Sequence, residues 1–137
     1  MNEEFNLEIP SDPKYISMVR LAAGGLASRM NFSEEDIDDI KVCLSEACNS
    51  IVQSRENKPD LIKISFIFKE NGLAMKVHSD NDALEEKVWD SEHRMGKVFV
   101  ETLADDIHYS HKKDGSSEVE ITKNYLDVSS DYLKYKH

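Results

Sequence analysis

The segment SEACNSIVQ, residues 45–53, places the carboxylate of Glu46 beside small and amide side chains on an otherwise apolar helical stretch. Ser50 lies four residues after Glu46 and therefore faces the same side of a helix. Asn49 is one position earlier and points about 100° away from Ser50. A carboxylate in this setting either acts on a bound ligand or is only a polar residue on a helix face. Which of these interpretations holds depends on the elements that position Glu46.

Length and composition limit the class of protein. The chain has 137 residues, of which 39% are hydrophobic and 32% charged, as is typical of one globular domain with a substantial core. No apolar run approaches the roughly 18 residues of a membrane span. The N-terminus MNEEFNLEIP lacks the basic and apolar regions of a signal peptide. These features predict a cytoplasmic protein without a membrane partner.

The charge disfavours nucleic acid as a direct partner. The formal net charge is −10, whereas phosphate binding needs clustered lysine and arginine. An acidic chain is soluble and is also suited to a basic protein partner. Cys43 and Cys48 point about 140° apart on a helix, which favours buried reduced thiols over a disulfide. The histidines are scattered, and His108 and His111 face opposite sides of a predicted strand, so we expect no metal site from them.

Hydrophobic patterning predicts a strand over residues 4–10 and a helix from the SDP segment at 11–13 to about Met30. Gly24-Gly25 inside that helix indicates either close approach by another element or a local helix irregularity. Ser33 is the predicted N-cap of a second helix that carries Glu46. Its core stripe is Ile37, Ile40, Leu44, Cys48 and Ile51.

The second half of the chain predicts strands, with one long helix among them. A hairpin at Asn71-Gly72 joins strands 61–70 and 72–80, a helix follows at 95–106, and two more strands flank the turn KDGSS. The predicted fold class is α+β, a two-layer sandwich of a mostly antiparallel sheet with about three helices on one face. We assign residues 1–126 to the domain and 127–137 to a C-terminal tail.

Two segments of the chain resemble a known protein family. The segments IPSDPKYISMVRLAAGGLASRM and IDDIKVCLSEACNSIVQ resemble anti-sigma factors of the RsbW/SpoIIAB type, which are serine kinases of the GHKL (Bergerat) ATPase superfamily. The similarity is strong over residues 9–53 and weaker over 61–126. It implies the GHKL fold, ATP and Mg²⁺ as cofactors, and a bacterial role in stress response or sporulation.

The first motif of the family is the helical segment SEAxxN. Its glutamate is the general base that activates the attacking hydroxyl, and its asparagine ligates Mg²⁺. Glu46 matches the glutamate and is the catalytic candidate. Ser50 falls at the asparagine position and is the metal-binding candidate, with Asn49 beside it. Serine can ligate Mg²⁺, but its reach is shorter.

The other two nucleotide motifs are degraded. Where the family has DxGxG, which contacts adenine, this chain reads HSDND, with Ser79 or Asp80 at the aspartate position and neither glycine. Where the family has a glycine-rich phosphate lid, the chain reads SEHRMGKV, leaving Gly96 and Lys97 as cofactor-binding candidates. These departures predict weak or absent ATP binding.

The partner-binding part of the family pattern is retained. Arg20 occupies the place of the first-helix arginine that contacts the sigma factor and its antagonist. The resemblance implies a homodimer that sequesters an alternative sigma factor in a partner-switching system, with binding that depends on the first helix and not on the cleft. The alternative is an active serine kinase that phosphorylates an anti-anti-sigma antagonist; a third is a scaffold with another regulatory partner.

Trp89 lies in the segment that replaces the lid, with Leu84 and Val88 on the same predicted helical face. Either it anchors a surface helix or it folds into the vacated nucleotide cleft and fills it. The surface-helix interpretation is slightly favoured. The hypothesis put forward for test is that the ring fills the cleft, because burial of such a ring stabilises a fold by a few kcal/mol.

Overall fold

A computed structural model describes residues 3–54 and 58–125. The remaining residues, which include the predicted tail at 127–137 and part of the predicted turn at 56–60, lie outside the described ranges. In chain order the elements are β1 (Glu4–Pro10), a 3-10 turn (Pro13–Tyr15), α1 (Ile16–Ala27), α2 (Glu34–Val52), β2 (Leu61–Lys69), β3 (Gly72–Ser79), α3 (Glu86–Glu92), α4 (Arg94–Leu103), β4 (Asp106–His111) and β5 (Ser117–Asn124).

The strands form one antiparallel sheet in the order β1-β2-β3-β5-β4. The register aligns Ile64, Val77 and Val119 across three strands, and all three side chains are buried in the core beneath the helices. The alternate positions Lys63, His78 and Glu118 form a charged row on the opposite face. The predicted α+β two-layer sandwich is confirmed. Over residues 3–54 and 58–125 it has four α-helices instead of about three, because the segment after β3 forms the short α3.

Side-chain hydrogen bonds determine where the first two helices begin. Asp12 accepts a hydrogen bond from the Lys14 amide at 3.1 Å, which begins the turn before α1. The Ser33 hydroxyl accepts one from the Asp36 amide at 3.1 Å, so the predicted N-cap of α2 is confirmed. α1 ends at Ala27, three residues before the predicted end. The core stripe of α2 is buried as predicted, with Ile37 at its edge.

Two glycines allow close approach between elements. A Cβ at Gly24 would lie 2.7 Å from Lys41 Cε on α2, whereas one at Gly25 would meet no described atom within 4 Å, so the close-approach interpretation is confirmed at Gly24 alone. The β2–β3 hairpin forms, but Gly72 pairs with Lys69 and lies inside β3. A Cβ on Gly72 would collide with the Lys123 carbonyl of β5, which explains the glycine without a special turn conformation.

Within the described ranges, every helix is too short or too polar to cross a membrane.

Candidate functional site

Helix α2 forms one wall of an open cleft of about 390 Å³. Glu46, Asn49 and Ser50 line this wall, and residues 92–96 at the start of α4 line the other. The Ser50 side chain is buried, whereas Glu46 and Asn49 are half-buried. The structure therefore brings together Glu46, both α2 candidates beside it and Gly96, which the sequence places some 50 residues apart.

Gly96 sets the width of the cleft. A Cβ at this position would lie 2.5 Å from Glu46 Oε2, so the missing side chain lets α4 pack directly against the carboxylate. Gly96 is buried within the first turn of α4. The packing of α4 against α2 therefore explains why residue 96 is a glycine, whether or not a phosphate binds there.

The Gly96–Glu46 contact predicts a coupled mutant pair. Alanine raises helix propensity by about 1 kcal/mol relative to glycine, so Gly96→Ala should stabilise a chain whose Glu46 is also truncated to alanine. In the wild-type background the new methyl group displaces the carboxylate, and we expect this gain to be reduced or reversed. Urea unfolding of the four proteins measures the coupling, which should be about 0.5 kcal/mol or more.

The matched control for this cycle is Gly25→Ala, in α1. No described atom lies within 4 Å of a Cβ there, so the substitution should stabilise equally with and without Glu46. Equal effects of Gly96→Ala in both backgrounds would contradict the proposed contact.

A hydrogen-bonded loop closes the end of β3. The Ser79 hydroxyl donates to Asn81 Oδ1 at 2.6 Å, and the Ala83 amide donates to the same oxygen at 3.1 Å. From the start of β5, Ser117 Oγ donates to the Asn81 carbonyl at 2.7 Å and accepts from the Leu84 amide at 3.0 Å. We name residues 79–84 the strand-end loop; its residues Ser79, Asn81, Ala83 and Leu84 are buried.

Asp80, the other candidate for the adenine contact, points to solvent. Its carboxylate is 3.3 Å from His78 Nε2 on the outer face of the sheet. Neither Ser79 nor Asp80 lines the cleft at Glu46. The structure therefore does not bring these sequence-predicted candidates together with Glu46.

Lys97 is also held away from the cleft. Its side chain is buried, with Nζ 3.2 Å from Glu101 Oε2 and 3.7 Å from Asp90 Oδ1, and 5.5 Å from the centre of the Tyr109 ring. Tyr109 donates a hydrogen bond to Glu101 at 2.8 Å. Burial, followed by the Glu101 carboxylate, raises the pKa of the Tyr109 hydroxyl. The ammonium group of Lys97 is thus neutralised by the carboxylates of Asp90 and Glu101.

Trp89 is buried, but it does not fill the cleft. The ring is 0% exposed and packs edge-on against Tyr109 of β4, with centroids 6.3 Å apart. The cleft beside Glu46 stays open, and Trp89 is not among its lining residues. The cleft-filling hypothesis is therefore wrong. The short α3 directs the indole toward the edge strand β4, where it contacts Tyr109.

Arg20 lies on the exposed side of α1 and lines a second depression, of about 420 Å³, between α1 and α2. Glu46 and Asn49 line both depressions. The first-helix surface and the cleft thus share lining residues, and that partner binding depends on the first helix and not on the cleft stays a prediction. Because α2 packs along α1, the α2 face that carries Glu46 also reaches Arg20.

Sequence reasoning did not identify His93, Arg94 and Met95 as part of this site. Their only signal was their position next to Gly96 in SEHRMGKV. Which of these side chains faces α2 depends on where α4 begins, and α4 begins at Arg94, directly after α3.

The two thiols are inert elements of the core. Burial raises the pKa of Cys43 and that of Cys48 to about 12, so both remain protonated at neutral pH. In the described part of the chain, no group of three His, Cys, Asp or Glu residues is placed to hold a metal ion. Asn49 and Ser50, which line the cleft together with Glu46, offer neutral oxygens.

An antiparallel sheet covered on one face by helices, with a glutamate on the second helix above an open cleft, is the architecture of a GHKL-type ATPase domain. The family model for the histidine kinase-like ATPase domain matches residues 9–123. The serine-protein kinase RsbW of Bacillus thuringiensis (strain Al Hakam) is 34% identical over 126 residues, an alignment that covers 80% of this chain and 78% of the relative. RsbW of Bacillus anthracis (strain A0248) gives the same figures, and RsbW of Bacillus cereus (strain B4264) is 32% identical over 130 residues with the same coverage. The chain belongs to the histidine kinase-like ATPase domain family, as a protein of the RsbW type.

Proposed function

We propose that this chain is an anti-sigma factor that sequesters an alternative sigma factor by direct binding, with weak or absent ATP binding. The partner class comes from the resemblance to the RsbW/SpoIIAB type over residues 9–53 and from the retained Arg20. The weak or absent ATP binding departs from the name of the relatives, serine-protein kinase, and rests on this chain's own residues.

The observation that carries the weak or absent ATP binding is the strand-end loop. The family resemblance predicts adenine at the end of β3, where an aspartate and two glycines would leave room for a purine. Here the buried residues Asn81 and Leu84 lie at that strand end, where Ser117 Oγ donates to the Asn81 main-chain carbonyl and accepts from the Leu84 main-chain amide. Exposing this loop to admit a base would break hydrogen bonds worth about 0.5–1.5 kcal/mol each and would uncover buried apolar surface.

The phosphate and magnesium contacts also fit poorly. Lys97 is paired with Asp90 and Glu101, so a phosphate would have to displace two carboxylates to reach it. Mg²⁺ favours charged oxygen ligands in octahedral geometry, whereas Ser50 offers one buried hydroxyl. ATP and Mg²⁺, the cofactors that the resemblance implies, are therefore expected to bind weakly or not at all.

The active-kinase alternative rests on Glu46. Its carboxylate lies in an open cleft beside Asn49 and Ser50, where a hydroxyl could approach it. In that case the chain would phosphorylate an anti-anti-sigma antagonist with Glu46 as general base. Transfer of labelled phosphate to such an antagonist, abolished by Glu46→Gln, would favour this function over the proposed one.

Addition of ATP or ADP with Mg²⁺ should change the melting temperature very little. A ligand at 100 times its Kd stabilises by about 2.7 kcal/mol, which for a domain of this size raises the melting temperature by several degrees. At millimolar nucleotide we expect a shift within the scatter of a thermal scan. The RsbW protein of Bacillus anthracis serves as the parallel sample. A clear shift of this chain at micromolar ATP would contradict the prediction.

The test of the anti-sigma function is direct binding. Each alternative sigma factor of the source organism is titrated by calorimetry into the purified chain, with and without ATP and Mg²⁺. We expect one of them to bind with the same Kd in both conditions. Binding of none of them, or binding only with nucleotide, would overturn the proposal.

Several further features belong to the same proposal. We infer a cytoplasmic homodimer, with residues 1–126 as the anti-sigma domain and 127–137 as a tail. The charged outer row of the sheet, formed by Lys63, His78 and Glu118, is compatible with a polar interface. Sedimentation equilibrium of the full chain and of a chain ending at residue 126 tests both the dimer and the boundary.

A further inference from the structure

Strand β4 lies at one edge of the sheet. In the described part of the chain it pairs with β5 alone, so its other side is open. The Lys112 amide donates to the Ser116 carbonyl at 3.0 Å, directly after the β4–β5 pairing ends. Because main-chain groups alternate between the two sides of an antiparallel strand, the even-numbered residues of β4 point toward β5. Ile107, Tyr109 and His111 therefore direct their N–H and C=O groups to the open side.

The start of this open edge is marked by two aspartates. The Ile107 amide donates to the carboxylate of Asp106, the residue before it, at 3.0 Å, so a side chain takes the place of a neighbouring strand. At Asp105 both the amide and the carboxylate are bonded to β5, which turns this residue away from the open side. The open edge thus begins at Asp106.

The open edge is acidic at its start and basic at its end. Asp106 is exposed at one end, and Lys112 and Lys113 are exposed just past the other. Lys112 has no carboxylate within ion-pair distance among residues 3–54 and 58–125. Antiparallel pairing places the start of one strand opposite the end of the other. The charges of this edge are therefore complementary to a second copy of the same edge, related to it by a two-fold axis.

One register of such a pair satisfies both the main chain and the charges. With the two-fold axis at Tyr109, Ile107 lies opposite His111 of the second copy, and the open main-chain groups meet in roughly six hydrogen bonds. In the same register Asp106 lies opposite Lys112, on the same face of the sheet, at each end of the contact. The His111 carbonyl of the second copy takes over the Ile107 amide, which releases the Asp106 carboxylate for this ion pair.

The two neighbouring registers lack the match of charges. With the axis at Ser110, Asp106 would lie opposite Asp114, which carries a like charge. With the axis at His108, Asp106 would lie opposite the neutral Ser110. The charges of the edge therefore select the register that is centred on Tyr109.

We propose that β4 pairs with β4 of a second copy, antiparallel and about a two-fold axis at Tyr109, so that the two sheets become one. This inference rests on the homodimer of the proposed function and assigns its interface to the β4 edge instead of the charged outer row of the sheet. Pairing of the two edges also covers unpaired main-chain groups that would otherwise be open to aggregation.

Charge reversal in the full chain tests this interface. Asp106→Lys and Lys112→Glu each place like charges at both ends of the contact, and each should raise the dissociation constant of the dimer about tenfold or more in sedimentation equilibrium. The double variant Asp106→Lys/Lys112→Glu restores opposite charges and should dimerise as wild type does. Lys63→Glu, in the charged outer row, is the matched control and should leave the dimer unchanged. Equal melting temperatures verify folding.

Disulfide trapping tests the register without a change of charge at Asp106 or Lys112. In the proposed pair, position 108 of each copy faces position 110 of the other, at a spacing that a disulfide can bridge. Oxidation of His108→Cys/Ser110→Cys should give a covalent dimer on a non-reducing gel, whereas neither single variant should. The native thiols of Cys43 and Cys48 are buried and do not compete. A covalent dimer of His108→Cys alone would contradict the register centred on Tyr109.

The outcomes separate the β4 interface from the proposed function. A dimer that survives both single charge reversals, or that the double variant fails to restore, would overturn the β4 interface while the homodimer stands. A chain that stays monomeric at its highest soluble concentration would overturn the interface and the homodimer together. The anti-sigma function is tested separately by the sigma-factor titrations, and it stands or fails by their result.

Discussion

Replacing Trp89 with alanine is expected to lower the free energy of unfolding by about 3–5 kcal/mol. The ring is 0% exposed and contacts Tyr109 edge-on, so its removal leaves a large cavity between α3, α4 and β4. Domains of this size are stabilised by only about 5–15 kcal/mol, so the variant should be marginally folded. Urea unfolding followed by circular dichroism gives the difference directly.

Phe99→Ala is the matched control for Trp89. Phe99 is an aromatic residue on α4 that is 46% exposed, and its loss should cost about 1 kcal/mol or less. Similar losses for the two variants would show that Trp89 is not packed as described. Because Trp89 does not line the cleft at Glu46, its removal should also leave nucleotide binding unchanged. ATP binding gained only by Trp89→Ala would restore the cleft-filling hypothesis.

Truncation of Arg20 should weaken the complex with the sigma factor by about 2 kcal/mol, which is roughly thirtyfold in Kd. The planar guanidinium pairs with carboxylates and stacks on aromatic rings, and here it is exposed on α1 and lines the depression between α1 and α2. An exposed helical arginine adds little to stability, so the melting temperature of Arg20→Ala should match that of wild type. Calorimetric titration measures the change in affinity.

Arg29→Ala provides the comparison for Arg20→Ala. Arg29 is also exposed, lies just after α1 and does not line the depression that holds Arg20. We expect it to bind the sigma factor as tightly as wild type. If Arg20→Ala and Arg29→Ala bind equally well, the contact inferred from the family resemblance does not apply to this chain.

Patterns that depend on near neighbours in the chain were predictable. The strand β1, the Ser33 cap and the core stripe of α2 appear where the sequence placed them. Each is set by a single periodicity or by one local hydrogen bond. The Asn71-Gly72 hairpin was predicted correctly as a hairpin, but the role of Gly72 was not. The need for a glycine there comes from the Lys123 carbonyl, which belongs to a strand about 50 residues later.

For the candidate site, too, some features were predictable from the sequence and others were not. The sequence alone determined that Glu46 and Ser50 share a helix face, that the adenine motif lacks both glycines and that the lid motif keeps only Gly96. It could not determine that Gly96 meets Glu46, that Lys97 turns to Asp90 and Glu101, or that Ser117 pins the strand-end loop. Those contacts join residues from different elements, and their geometry is set by how α4 and β5 pack. For the same reason only the tertiary structure decided that Arg20 and Glu46 line the same depression, since the packing of α1 on α2 fixes which helix faces become neighbours.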